Sequence, residues 1–501
     1  MTINFRYLPI ISESFRVILP IRTPQCFADF IFFGLLCKTF AAMKDFTSGN
    51  EAKLIFRFAL PMLIGNIFQQ LYNVVDSIIV GRYLGEKALA AVGASFPIIF
   101  MIIALIIGIG IGSSVVISQY FGAKNYEKVK RASDTTYIFL FFAGILITFV
   151  GLASGEHIFR LMRLPEEVLP LAKTYLDIYM YGMVLMFGFN SISSILRGVG
   201  DSKTPLYFLI VATFLNIILD ILFVLVFKWG IAGAAWATVV AQSFSFVIAA
   251  AYLERKKHLL RITFRRMVFD WEIFKKSVRI GFPTGIQQTL VALGGMALMG
   301  IVNSFGTNVI AGFSAASRID SLAVIPIMNF SASLSGFVGQ NIGAGKIDRV
   351  RRGLWATIKM SVAFSISISL IILFWGDKMM LVFSDNSEVI SVGYHYLMVV
   401  SVFYAVFAIM FCINGLLRGA GAAIVPMYIT LLSLWIVRLP LAYLLSYTFK
   451  MGEAGIWWSI PIGWAMGAIG AIFYYRFGNW KNKSVVRPHV SDDEEVVTDI
   501  V

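Results

Sequence analysis

Along most of the chain, apolar residues run without the polar interruptions that mark a surface helix or strand. No Asp, Glu, Lys or Arg occurs from Ala88 to Ala123, from Thr135 to Gly155 or from Trp229 to Leu253. A bilayer-crossing helix needs about 20 such residues. Broken at charges and turn residues, the pattern predicts twelve spans: 56–81, 91–120, 133–155, 168–195, 205–227, 231–253, 277–303, 312–339, 353–375, 388–416, 423–447 and 454–475.

Composition agrees. Of 501 residues, 58% are hydrophobic and 14% charged, and mean hydropathy is +0.80. A soluble domain carries about 25% charge, so an ordinary soluble enzyme is excluded. The net charge of +14 sits in short connections, not on a nucleic-acid face. Lys124, Lys128, Lys130 and Arg131, then Arg197 and Lys203, then Lys346, Arg349, Arg351 and Arg352 fall in alternate loops. The middle connection, 255–279, is richest, whereas 304–311 is nearly bare. The positive-inside bias puts the rich loops and both termini in the cytoplasm, consistent with an even number of spans. Cys26, Cys37 and Cys412 lack ligand spacing and the four His are scattered. The expectation is therefore no metal centre of that kind, no cofactor and no enzyme.

Residues 1–49 form an N-terminal extension that Pro9, Pro20, Pro24 and several Arg interrupt. Two readings stand: Cys26–Phe40 is an amphipathic surface helix, or the native chain starts at Met43. The remaining domains are expected at 50–254, a basic linker at 255–276, a second unit at 277–478 and a tail at 479–501.

The two units are one sequence repeated. A shift of 221 places Gln119, Gly122 and Ala123 on Gln340, Gly343 and Ala344. It also places Arg197-Gly198-Val199-Gly200 on Arg418-Gly419-Ala420-Gly421, Pro205 and Tyr207 on Pro426 and Tyr428, and Tyr175-Leu176 on Tyr396-Leu397. With one residue of slip, Pro61 meets Pro283 and Trp236 meets Trp458. Six spans per repeat give both halves the same orientation. The expected fold is thus an all-α polytopic membrane protein, two six-helix bundles related by a pseudo-two-fold axis along the membrane normal. Rocking such halves opens the cleft between them to each side in turn.

A charge at the centre of a span costs about 2.5–3.5 kcal/mol, so the few that occur are informative. Asp76 lies deep in the first span, in Gln69-Gln70-x-x-Asn73-x-x-Asp76, and Asp220 lies in the fifth, one turn after Asn216. Thr238 of the sixth span adds a hydroxyl. Two carboxylates, an amide and a hydroxyl suit a proton or a hard cation such as Na+. The alternative is that each Asp sits at a membrane edge as a cap or in an ion pair. In the second half Leu441 stands where the first has Asp220, but Arg438 lies nearby as a deep cation. Asp320 is expected to pair with Arg318. Met180, Met183, Met186, Phe187, Met296 and Met328 are candidates, with Arg438, for a soft and adaptable substrate surface.

These motifs resemble the multidrug and toxic compound extrusion (MATE) family over about residues 50–478. The likeness rests on the repeat, Pro61, Val75-Asp76-Ser77-Ile78-Ile79-Val80-Gly81, Gln119-x-x-Gly122-Ala123, Arg197-Gly198-x-Gly200-Asp201, Asn216 with Asp220, and Gly233-Ala234-Ala235-x-Ala237-Thr238. It implies an antiporter in the bacterial cytoplasmic (inner) membrane that exports lipophilic, often cationic compounds in exchange for H+ or Na+. It also implies roles in the cation site of DinF-like members for Asp76, Asn216, Asp220 and Thr238, with Tyr175 associated; Gln70 and Asn73 lie on the same helix. NorM-like members carry acidic residues in the seventh and tenth spans. Here those regions read Gln287-Gln288-Thr289-Leu290-Val291 and Phe403–Cys412, without a carboxylate, which favours the DinF-like branch. The expected partners are a small substrate and the bilayer, with the protein a monomer that binds no nucleic acid. A flippase or exporter of a lipid-linked or polysaccharide precursor is the alternative.

Overall fold

The computed structural model describes residues 44–255, 259–262 and 267–486. The Cys26–Phe40 stretch and the Met43 start therefore lie outside the described residues. Among those described, the N-terminal lobe has six helices: α1 (Glu51–Leu84), α2 (Glu86–Gly122), α3 (Tyr126–Leu161), α4 (Leu169–Gly198), α5 (Lys203–Val226) and α6 (Gly230–Arg255). The C-terminal lobe has α7 (Trp271–Asn303), α8 (Thr307–Gly343), α9 (Ile347–Leu381), α10 (Ser387–Ser401), α11 (Tyr404–Gly419), α12 (Ile424–Thr448) and α13 (Glu453–Phe477). Eleven of these are long and apolar enough to cross a bilayer alone, and α10 with α11 makes a twelfth crossing bent by 53°.

That bend departs from the straight tenth span expected at 388–416. The Ser369 hydroxyl of α9 donates to the Ser401 carbonyl at 2.5 Å, taking an acceptor at the end of α10 just where the helical ladder breaks. The linker is also shorter than expected, because α7 already begins at Trp271, with the Asp270 carboxylate accepting from the Ile273 N–H at 3.0 Å. Asn50, Asn125 and Asn386 cap α1, α3 and α10 in the same way.

The duplication reaches the backbone. Gly85 between α1 and α2 has φ +84, and its repeat-mate Gly306 between α7 and α8 has φ +94; Gly200 and Gly421 match in the same way. Each is a left-handed position that favours glycine.

The lobes meet over the half of the molecule that carries the Lys/Arg-rich loops. α2 lies against α7 with almost no side chain between them: a methyl added at Gly108 would overlap the Gly285 backbone, and one at Gly112 would overlap Ser277. Nearer the basic end the repeated turns interlock, since a methyl at Gly122 would strike the Gln340 carbonyl and one at Gly343 the Gln119 carbonyl. The two glutamines then capture the segments that flank the two lobes in sequence. The Phe46 N–H donates to Gln340 Oε1 at 2.9 Å, and the Val485 N–H donates to Gln119 Oε1 at 3.1 Å. Gln119 Nε2 also crosses to the Gly419 carbonyl at 3.0 Å. Among the described residues, inter-lobe hydrogen bonds extend from this end only as far as Asn66 Nδ2 to Asn329 Oδ1, 3.1 Å.

Because neither clash is with a flexible side-chain end, Gly122→Leu or Gly343→Leu should lower stability by about 3 kcal/mol. Gly93→Ala, where a methyl meets open space, should be neutral or gain up to about 1 kcal/mol. Thermal unfolding of the purified variants checks both signs.

Candidate functional site

Asp76 lies on α1 two residues past the exposed Val74, and it is buried at 7% exposure. Asn216 and Asp220, four residues apart on α5, turn inward together and are also buried. Directly after Asp220 the helix widens to π-type turns over Ile221–Val226, a departure from regular pitch that recurs at functional sites. Thr238 faces them from α6, accepting a bond of 3.4 Å from Asn216 Nδ2.

The polar inventory does not close. Asp76 Oδ1, Asn216 Oδ1 and both carboxylate oxygens of Asp220 are buried with no hydrogen-bond partner in the protein. Buried polar atoms are almost always satisfied, and buried carboxylates still more so. Four open oxygens in one place thus form an acceptor-only cage, complementary to a proton or to a hard cation with oxygen ligands. The two carboxyls lie within electrostatic reach of each other, and like charges so placed favour a compensating positive charge. Among the described residues neither the Asp76 nor the Asp220 side chain caps a helix or forms an ion pair.

Three tyrosines surround this cage. Tyr175 is buried and stacks on Tyr179 with ring centres 6.3 Å apart, and both lie within electrostatic reach of Asp76. Tyr72, one turn before Asp76, is the third. Sequence reasoning passed over Tyr72 and Tyr179, although each stands four residues from a residue it did select. Tyr72 and Tyr179 also form part of the wall of a cavity of about 160 Å³, which Asn66, Gln69, Met186, Phe187 and Arg197 help to line. The ion cage and the cavity therefore share a tyrosine wall.

Other candidates fall elsewhere. Gln70 is exposed and accepts from Asn73 at 3.4 Å; the α1 amides that reach the cavity are Asn66 and Gln69. Met180 and Met183 are fully buried in the N-lobe core, where Met180 fills the space left by Gly151 of α3, so neither lines a cleft. Met296 borders an apolar cavity of about 340 Å³ between α2, α3 and α7, with Phe96, Met101 and Thr289. Met328 is partly exposed on α8. The expected Arg318–Asp320 pair is absent: Arg318 is exposed, and the Asp320 carboxylate accepts from the Tyr404 hydroxyl at 2.7 Å. Gln287 is used structurally, donating to Thr430 Oγ1 at 2.8 Å and so tying α7 to α12.

Two repeated helical lobes, one of them holding buried, unpartnered carboxylates, have the architecture of a membrane transporter. Comparison with known proteins names the group. The MatE family profile matches residues 61–222 and 283–444, one match in each lobe. The probable multidrug resistance protein YpnP of Bacillus subtilis is 34% identical over 87% of this chain and 97% of its own. The probable multidrug resistance protein NorM of Thermotoga maritima is 26% identical over 87% of this chain and 94% of its own. An outward-facing structure of a multidrug resistance MATE family transporter superposes with a TM-score of 0.81 at 26% identity, covering 86% of this chain and 96% of that one. The chain belongs to the MatE family and is a multi-pass membrane transporter.

If the open oxygens serve an ion and not the fold, removing them should stabilise the protein at rest. Asp220→Leu, the residue of the repeat-mate position, should raise stability by about 2 kcal/mol in ion-free buffer at neutral pH. A fall in melting temperature would mean that the carboxylate is a structural anchor.

Proposed function

We propose that the protein is a secondary antiporter that exports lipophilic, mainly cationic compounds in exchange for H+ or Na+ taken up at Asp76, Asn216, Asp220 and Thr238. The four unpartnered oxygens of that cluster carry the reading. Gln287 in place of a seventh-span carboxylate supports a single, N-lobe ion site of the DinF-like kind. YpnP and NorM are named as probable multidrug resistance proteins, and two cavities with Met and aromatic walls suit a range of apolar ligands.

The positive-inside bias puts the closed, basic end in the cytoplasm of a bacterial inner membrane, with both termini there. The lobes are then sealed inward and the N-lobe site communicates outward. An arriving H+ or Na+ cancels one of the two carboxylate charges and with it their mutual repulsion, which lowers the cost of drawing α1 and α5 together in a medium of low dielectric. Tyr72 and Tyr179, shared by the cage and the cavity, transmit that movement to the substrate and displace it. The emptied, ion-loaded lobes rock and release the ion inward; a new substrate bound there restores the ionised carboxylates. The unit of function is a monomer and its partners are substrate and bilayer, with no bound cofactor.

Ethidium uptake into inverted vesicles, scanned over pH with and without Na+, identifies the coupling ion. Asp76→Asn and Asp220→Asn should bring ion-driven uptake down to passive leak, and Thr238→Val should slow it at least about fivefold. Undiminished ion-driven uptake by Asp76→Asn, with the variant folded, would refute the reading.

A further inference from the structure

The C-terminal lobe holds a second buried polar cluster at the place that corresponds, in the repeat, to the ion cage. Tyr396 is the repeat-mate of Tyr175, and Arg438 lies within one residue of the position that matches Asn216. The chemistry has changed sign. Where the unpartnered atoms of the N-lobe cluster are acceptors, those of this one, Arg438 Nε and Trp457 Nε1, are donors.

Arg438 ends a run of widened helical turns, Leu431–Arg438 in α12, and its stem packs on Gly463 of α13, where a methyl would come within 3.0 Å of the Arg438 Cβ. Its Nε is buried with no hydrogen-bond partner. Among the described residues no carboxylate lies within ion-pair distance of it; its electrostatic neighbours are Asp320 and Tyr396. Asp320 does not need the guanidinium, because the Tyr404 hydroxyl donates to it at 2.7 Å and the Tyr396 side chain also bonds to it. Beside them stands Trp457, stacked on Phe313 at 5.4 Å with an interplanar angle of 6° and set edge-on to Tyr396 at 5.1 Å. Its indole Nε1 is likewise buried without an acceptor. Arg438 and Asp320 are only partly buried, so the cluster is reachable, whereas Trp457 and Tyr404 are fully enclosed and hold its wall rigid.

We infer that Arg438, held beside the enclosed rings of Tyr396 and Trp457, is a C-lobe binding site for a substrate carboxylate. A planar guanidinium with unspent donors matches a carboxylate in two parallel hydrogen bonds, and the packed rings behind it fix where it stands. Asp320, already bonded by tyrosines, stays close enough to oppose a second negative charge. It thereby sets the strength of binding and biases the site toward ligands that carry a positive group as well. The inference rests on the chain's being a transporter but not on the N-lobe ion cage, which the experiment below leaves unaltered.

The test measures equilibrium binding of fluorescein, an aromatic carboxylate, and of ethidium, an aromatic cation, to the purified full-length protein, together with thermal unfolding. Arg438→Gln should weaken fluorescein at least about tenfold while leaving ethidium within about twofold and the melting temperature unchanged. Arg438→Lys should retain part of the affinity, and Asp320→Asn should tighten fluorescein by removing the opposing charge. The last sign separates a ligand site from a structural ion pair. Overturning results are wild-type protein that does not bind fluorescein, or Arg438→Gln that binds it normally. So is joint loss of both ligands and of thermal stability in Arg438→Gln, restored in the Asp320→Asn/Arg438→Gln double variant, since that pattern marks a pair serving the fold alone.

Discussion

The structure depends on one constraint: a carboxylate placed inside a membrane protein must be given a partner or be neutralised. Asp76 and Asp220 are buried together without donors, while the surrounding tyrosines and apolar core keep bulk water away. Such a pair is unfavourable when fully charged and tolerated when a cation or proton arrives. The fold therefore carries an unsatisfied state as part of its resting condition. The local irregularity of α5 and the shared tyrosine wall gain their meaning from it, because both lie where a change in the charge of the cage alters packing.

The proposed exchange also requires two lobes able to move as bodies. Repetition provides two units, since each lobe buries a core of its own and the contacts between lobes concentrate at one end. There the backbones touch at glycines, and a terminal segment from one side of the sequence is held by the lobe made from the other. Phe46 is packed against Phe58 and Phe337, with its backbone held by Gln340 and Asn341. Ser484 and Val485 do the equivalent service for Gln119. Backbone contacts of this kind are made or broken as a set, not gradually, and an interface built that way suits two discrete arrangements.

Much of this was legible in the residues because a membrane amplifies simple signals. Apolar runs gave twelve crossings, the 221-residue shift gave two lobes, and the scarcity of charge singled out Asp76 and Asp220. Asn216 and Thr238 were legible for the same reason, through helical spacing and the need for oxygen ligands. What stayed hidden depended on three-dimensional neighbours. Met180 looks like the other soft residues of α4 until Gly151 of α3 is seen beneath it. Arg318 is closer to Asp320 in the chain, but residues two apart on a helix do not face each other, and Tyr404 arrives from another helix. The break after Ser401 needs the Ser369 hydroxyl, which no span-by-span reading supplies. Tyr72 and Tyr179 have no composition signal in a chain this rich in aromatics.

The central claim is that substrate and ion compete for one conformational cycle through the N-lobe carboxylates. It is tested most directly by adding ethidium to purified, ion-loaded protein in weakly buffered solution and recording the release of H+ with a pH indicator and of Na+ with a sodium electrode. The account predicts that ethidium drives one of the two ions off the wild-type protein and neither off Asp220→Leu, although that variant remains folded. Equal release from the wild type and the variant, or ethidium binding to the wild type with no ion released, would contradict it.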